Sequence, residues 1–149
     1  MTTSNFSAGR DVAIVGFAQT KHVRSADTLS EVEMIQPVIA EAMNQVGLDH
    51  HGFDFYCSGS SDYLAGQAFS FVMTLDAIGA WPPKRDSHVE MDGAWALYEA
   101  WLRLQEGDIE IAVVTGSKRW RSNQPLSHAS NRSRPTATSI VRRNAAPFS

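Results

Sequence analysis

The chain predicts an α/β fold, a layered and mixed, mainly parallel sheet built in the order β-α-β-α-β-α-β. Three observations carry this. Short apolar runs stop at glycine or serine, the longer stretches between them repeat apolar residues at helical spacing, and the two kinds alternate as far as Gly116. Crossovers between the parallel strands are expected to be right-handed.

The first run, Asp11 to Thr20, is continuously apolar up to Gly16, the pattern of a strand buried on both faces of a parallel sheet. A polar loop over 21–27 leads to Thr28-Leu29-Ser30-Glu31, read as a capping box with Thr28 at the N-cap. Leu29, Val32, Ile35, Ile39, Ala42, Met43 and Val46 then trace one helical face, with Gly47 as the residue after the end. Pro37 inside that pattern removes a backbone hydrogen bond and predicts a kink. Phe53 to Ser58 is short, aromatic and alternating, a second strand. Ala68 to Ile78 is apolar on nearly every side and reads as a buried helix closed by Gly79, followed by the rigid Trp81-Pro82-Pro83.

The third strand and helix meet at Glu90-Met91-Asp92-Gly93. The helix runs to about Glu106 and is polar only along Glu99, Arg103 and Glu106, so cover on most sides is expected. A buried helix N-terminus carries free N–H groups and partial positive charge, and proteins place anions and nucleophiles there. Ile109 to Thr115 and Gly116 complete the order as a fourth strand.

Composition excludes several classes. With 149 residues, 43% apolar, the chain is long enough for one core. A formal charge of −3 gives no reason to expect a nucleic-acid or membrane partner, and no apolar run reaches the length of a span. One cysteine, Cys57, excludes an internal disulfide and a cysteine metal cage, and suits a cytoplasmic protein. Residues 1–10 are polar, without the apolar core of a signal peptide, and read as a disordered N-terminus. Charge divides the rest. Residues 1–116 hold all 16 acidic residues against 6 basic ones, a net of −10; residues 117–149 hold 7 basic residues and no acid. Beyond Ser139-Ile140-Val141 the latter segment has no periodicity. It reads as a basic irregular tail outside the 11–116 module, either an anion-binding disordered segment or, the reading preferred, a frameshifted or truncated end.

Individual residues leave alternatives open. Asp86, His88, Glu90 and Asp92 alternate along one strand and so share a face. His88 with two carboxylates is one way to hold a metal; helix capping by Asp92 is the plainer expectation, with no metal. Glu90, if buried, is a candidate general acid/base. Gly16-Phe17-Ala18-Gln19 lacks the later glycines of a dinucleotide turn. Cys57-Ser58-Gly59 is not a nucleophile elbow, and Cys57 reads as a small buried residue.

The stretch Val12-Ala-Ile-Val-Gly-Phe-Ala-Gln-Thr20 resembles the first strand of the thiolase superfamily, especially its sterol-carrier and lipid-transfer branch, which is acetyl-CoA acetyltransferase-like. Val89-Glu-Met-Asp-Gly-Ala-Trp-Ala96, Glu106-Gly107-Asp108 and Ala112-Val-Val-Thr-Gly116 resemble that family's nucleophile strand, buried helix and fourth strand. Asp62-Tyr63-Leu64-Ala65-Gly66 is similar to the substrate- and dimer-proximal loop of the lipid-transfer branch. Thiolases carry Cys-x-Ser-Gly at the junction. Matching its glycine to Gly93 sets Glu90 in the nucleophile's place and Asp92 in the serine's.

The resemblance implies a thiolase-like half-module. Glu90 takes the catalytic position, Asp62, Tyr63, Asp92 and Gly93 lie near substrate, and a CoA thioester is the substrate class, with no covalently bound cofactor. A carboxylate is a poor acyl acceptor beside a thiolate. The resemblance therefore implies an acyl-CoA lyase or lipid-transfer protein, cleaving steroid or lipid side-chain acyl-CoA by retro-aldol chemistry, rather than a thiolase. It implies a homodimer and a small OB-fold partner protein. The family's fifth strand and second half are not legible, which implies a fragment, inactive alone. Alternatives are a non-catalytic module pairing with another chain, or an acyltransferase whose catalytic residues lie outside this chain.

Overall fold

A computed structural model describes residues 9–21, 29–61, 71–79, 81–117 and 136–143. Among these, the strands are β1 (Val12–Gln19), β2 (Phe55–Gly59), β3 (Arg85–Val89), β4 (Ile111–Gly116) and β5 (Ala137–Arg143). The helices are α1 (Glu31–Gln45), α2 (Phe71–Ile78) and α3 (Gly93–Glu106). One sheet has the strand order β1-β5-β4-β2-β3. β2 pairs in parallel with both β3 and β4, while β5 runs antiparallel to β4 and to β1. The mixed, mainly parallel α/β sheet is as expected.

The fifth strand corrects the reading of the chain past Gly116. β5 is not irregular tail; it lies between β1 and β4, with Ile140 and Val141 buried on opposite faces. Its surroundings also absorb charge: Arg143 Nη2 donates to Glu110 Oε1 at 2.9 Å and Nη1 to the Gly107 carbonyl at 3.2 Å. The alternation Thr138, Ile140, Arg142 against Ser139, Val141, Arg143 is short and flanked by arginines, so its apolar signal falls below that of the other strands.

β1 also differs from expectation. It is an edge strand, with Ile14 and Phe17 about half exposed, not a strand buried on both faces. A register shift between Ile14 and Gly16 places Val15 and Ala18 in the core beneath α1. Gly16 lies inside the strand where α1 crosses closely: a Cβ there would sit 2.8 Å from the Ala42 carbonyl oxygen and 3.1 Å from Ile140 Cγ1.

Helix α1 begins two residues later than the Thr28 reading. Ser30 is the N-cap, its Oγ accepting from Glu33 N–H at 3.2 Å while the Glu33 carboxylate accepts from Ser30 N–H at 2.7 Å. Both Thr-x-x-Glu and Ser-x-x-Glu fit the same box, and the later one places Glu31 in the first turn, buried. The helix continues past Pro37 to Gln45.

α1 and α2 cover one face of the sheet with Ile35, Val38, Ile39, Ala42, Tyr56, Val113 and Ile140. α3 covers the other through Ala96, Ala100 and Leu104, against Phe55, Cys57, Ala112, Val114 and Val141. Each fully buried aliphatic side chain contributes about 1.5–3 kcal/mol. The expectation that α3 is covered on most sides is corrected: Trp95, Tyr98, Trp101 and Leu102 face outward and are exposed. Small residues let α3 approach the sheet on one side, and its aromatic side stays exposed among the described residues.

Candidate functional site

The parallel strands β2, β3 and β4 deliver their carboxyl ends to one place, where ligands of open α/β sheets bind. Three glycines make the close approach possible. A Cβ on Gly59 would overlap the Asp92 carbonyl, and one on Gly116 would lie 2.7 Å from Gly93 Cα. The start of α3 therefore rests directly on the ends of β2 and β4.

β3 stops at Val89, so Glu90 and Asp92 do not continue the strand face that carries Asp86 and His88. Asp92 is the N-cap of α3; its Oδ1 accepts from Ala94 N–H at 3.0 Å and Trp95 N–H at 3.4 Å. This has a chemical consequence. The donors that could lower a nucleophile's pKa or bind an oxyanion at this helix end are engaged by the chain's own carboxylate. Gly93 opens the helix beneath it. Asp62 and Tyr63 lie outside the described residues.

Glu90 is exposed, with 55% of its side chain accessible, so the burial on which its role as a general acid/base was conditional is missing. Its Oε2 stands 3.3 Å from Nε2 of His88, whose side chain is only 17% exposed. On the other edge of that ring, Nδ1 is 2.9 Å from Ser58 Oγ. Ser58 and His88 are direct partners across the parallel β2–β3 ladder, and the Phe71 ring of α2 lies 5.6 Å from the imidazole. A carboxylate only accepts, so Nε2–H donates to Glu90 and Nδ1 is left to accept from the Ser58 hydroxyl. That a histidine lies beside Ser58 is not legible in the residues alone, because strand register decides that pairing. A two-residue Ser-His signal in separate strands has no spacing to search for.

The same register extends the polar row. Ser58 is paired with Thr115, and Thr115 with Thr138 on β5. One residue pair deeper, Tyr56 hydrogen-bonds Thr115 through its hydroxyl, and burial pushes the Tyr56 phenol up to about 12. Ser117 Oγ donates to Glu31 Oε1 at 3.0 Å at the start of α1. Glu31, Ser58, Ser60, Thr74, Thr115, Thr136 and Thr138, the buried polar residues among those described, all belong to this end of the sheet or the helix residues over it.

Cys57 cannot stand in for a missing nucleophile. It is buried on the α3 face, and burial, with Glu99 adding to it, pushes the thiol up to about 12. Among the described residues no group of three or more His, Cys, Asp or Glu side chains is placed to hold a metal ion. No described helix is long and apolar enough to cross a membrane.

No protein-family model and no curated protein sequence matches the chain. Solved structures do. 3-Oxoacyl-[acyl-carrier-protein] synthase III from Aquifex aeolicus VF5 superposes with a TM-score of 0.61 at 11% identity, over 91% of this chain and 55% of that one. The cerulenin-bound OleA of Xanthomonas campestris gives 0.65 at 11% identity, over 93% and 58%. Human mitochondrial 3-ketoacyl-CoA thiolase, in complex with CoA, gives 0.58 at 10% identity, over 80% and 34%.

The fold is thiolase-like.

The chain spans little more than half the length of the first two of these proteins and about a third of the last.

Proposed function

We propose that this chain is the first half-module of a thiolase-like lipid-transfer protein or acyl-CoA lyase, acting on a CoA thioester with a lipid or steroid side chain. The observation that carries this is the β3–α3 junction. Asp92 engages the helix-end donors that a nucleophilic cysteine would use, and the resemblance assigns Glu90 the nucleophile's position. Thiolysis and Claisen condensation need a thiolate there. Retro-aldol cleavage does not: it needs a base for a β-hydroxyl proton, and the resulting enolate is stabilised by the thioester. Glu90 with His88 is the acid/base pair available in this chain. Asp62, Tyr63 and Gly93 are proposed to line the acyl-CoA pocket. The intact protein would work as a cytoplasmic homodimer with a small OB-fold partner.

The test uses acetoacetyl-CoA with free CoA, and in parallel calorimetric titration with a long-chain β-hydroxyacyl-CoA. The reading expects no thiolysis above buffer and a saturable heat of binding. Thiolysis, or no binding of any CoA thioester, would remove it.

A second reading is favoured by one observation. Trp95, Tyr98, Trp101 and Leu102 on α3 are all exposed among the described residues, an apolar surface unusual for a free domain. On this reading the chain is an interaction module, pairing through α3 with a second half-module of the same architecture, either on another chain or in a longer version of this one.

A further inference from the structure

Ser58, His88 and Glu90 make a line of three groups that the thiolase-like reading does not use as a unit. We propose that Ser58 is an acyl-accepting nucleophile, with His88 as its base and Glu90 as the residue that positions the imidazole. This goes beyond the lyase reading and does not depend on it.

The chemistry follows from the hydrogen bonds. Glu90 Oε2, 3.3 Å from Nε2, fixes the neutral tautomer with the proton on Nε2. Nδ1 then carries the lone pair, 2.9 Å from Ser58 Oγ and placed to take its proton. This is the serine–histidine–carboxylate arrangement with the two ring nitrogens exchanged, and such constellations are recognised by geometry and role, not sequence order. The backbone supplies precision. Ser58 and His88 lie opposite each other on adjacent strands, so their separation is fixed by the ladder and not by loop conformation.

The environment also fits an acyl group. The Phe71 ring, 5.6 Å from the imidazole and tilted by 37°, offers an apolar wall. Ser58 itself is 2% exposed, while His88 and Glu90 lie progressively nearer solvent. A slender acyl group approaching from the His88 side is the class of substrate the site takes, presented as an ester or thioester. Ser58 Oγ would bond to the acyl carbon as its proton passes to His88 Nδ1. The carbon–sulfur or carbon–oxygen bond then breaks, and the leaving thiol or alcohol takes that proton. Water releases the acyl group by the reverse sequence.

Diisopropyl fluorophosphate tests this on the whole 149-residue chain, because only an activated hydroxyl displaces its fluoride. Intact mass and peptide mapping should give one adduct, on Ser58, that is lost when the protein is unfolded beforehand. His88→Gln should slow labelling by about 100-fold or more. Glu90→Gln should slow it by roughly tenfold, and Glu90→Asp, which keeps the charge, should restore most of the rate. Thermal melts of each variant identify those that fold as the parent does. No adduct on the folded parent, an adduct on another residue, or a Ser58 adduct formed at an unchanged rate in folded His88→Gln would each overturn the proposal.

Discussion

The two faces of the sheet are finished to different degrees. Under α1 and α2, Ile35, Val113 and Ile140 are fully buried, and a row of hydroxyls closes the end of the core. Under α3 the strands β2, β4 and β5 are covered through alanines and Leu104, but the outer surface of the helix is aromatic and β1 shows Ile14 and Phe17. Tyr98 stacks on Trp101 with ring centroids 5.8 Å apart, and both rings are exposed. Among the described residues one side is a completed core, and the other leaves an aromatic surface exposed. Aromatic area left in water is what a protein–protein interface removes.

That contrast can be broken in several ways. The largest effect is expected inside the completed face: Ile140→Ala should cost about 2–5 kcal/mol in urea unfolding. It also tests β5, since a substitution in a segment outside the fold would cost almost nothing. Gly116→Ala should cost about 1–3 kcal/mol, because the new methyl would meet Gly93 Cα and α3 would have to move. Asp92→Ala should cost about 1 kcal/mol through the lost cap, read from the same unfolding curves. The smallest effect is expected on the unfinished face, where Trp101→Ser should change the stability of the monomer by no more than about 0.5 kcal/mol. Comparable losses at Ile140 and Trp101 would mean that the two faces do not differ.

Alkaline titration compares the faces differently, since Tyr56 is buried on one and Cys57 on the other. Burial raises both groups to about 12 in the folded chain. An acid whose folded value is raised binds its proton more tightly when native. The associated stability is full below the ordinary thiol and phenol range, and is lost as pH rises from about 9 towards 12. Thermal melts across that window should fall, and Cys57→Ala should fall less. A thiol reagent at neutral pH should leave Cys57 unmodified until the chain unfolds.

Much of this fold was legible in the pattern of residues. The spans of α1, α3, β2 and β4 follow from apolar spacing and from Gly47, Gly107 and Asp92 at their ends. Where the reading failed, the deciding quantity was not local. β1 has the run of a doubly buried strand, yet strand order leaves it at an edge, and order is set by tertiary pairing. Five of the seven residues of β5 are polar or small and two are aliphatic, so only its neighbours make it an interior strand. The α3 stripe Glu99 and Arg103 was visible, and the two do pair at 3.1 Å. The exposure of the aromatics beside them depends on what else is present to cover them. At the site, Asp92 as a cap was legible from its place before Gly93-Ala94, and Glu90 was singled out from an alignment of motifs. Its partnership with His88, and that of His88 with Ser58, depends on the β2–β3 register.

Sedimentation velocity on the parent chain and on a Trp95→Ser, Trp101→Ser double variant tests the unfinished face most directly. The parent should associate as concentration rises, a second copy covering α3, and the variant should stay monomeric with an unchanged circular dichroism spectrum. A parent that remains monomeric throughout the micromolar range, or a variant that associates equally, would contradict it.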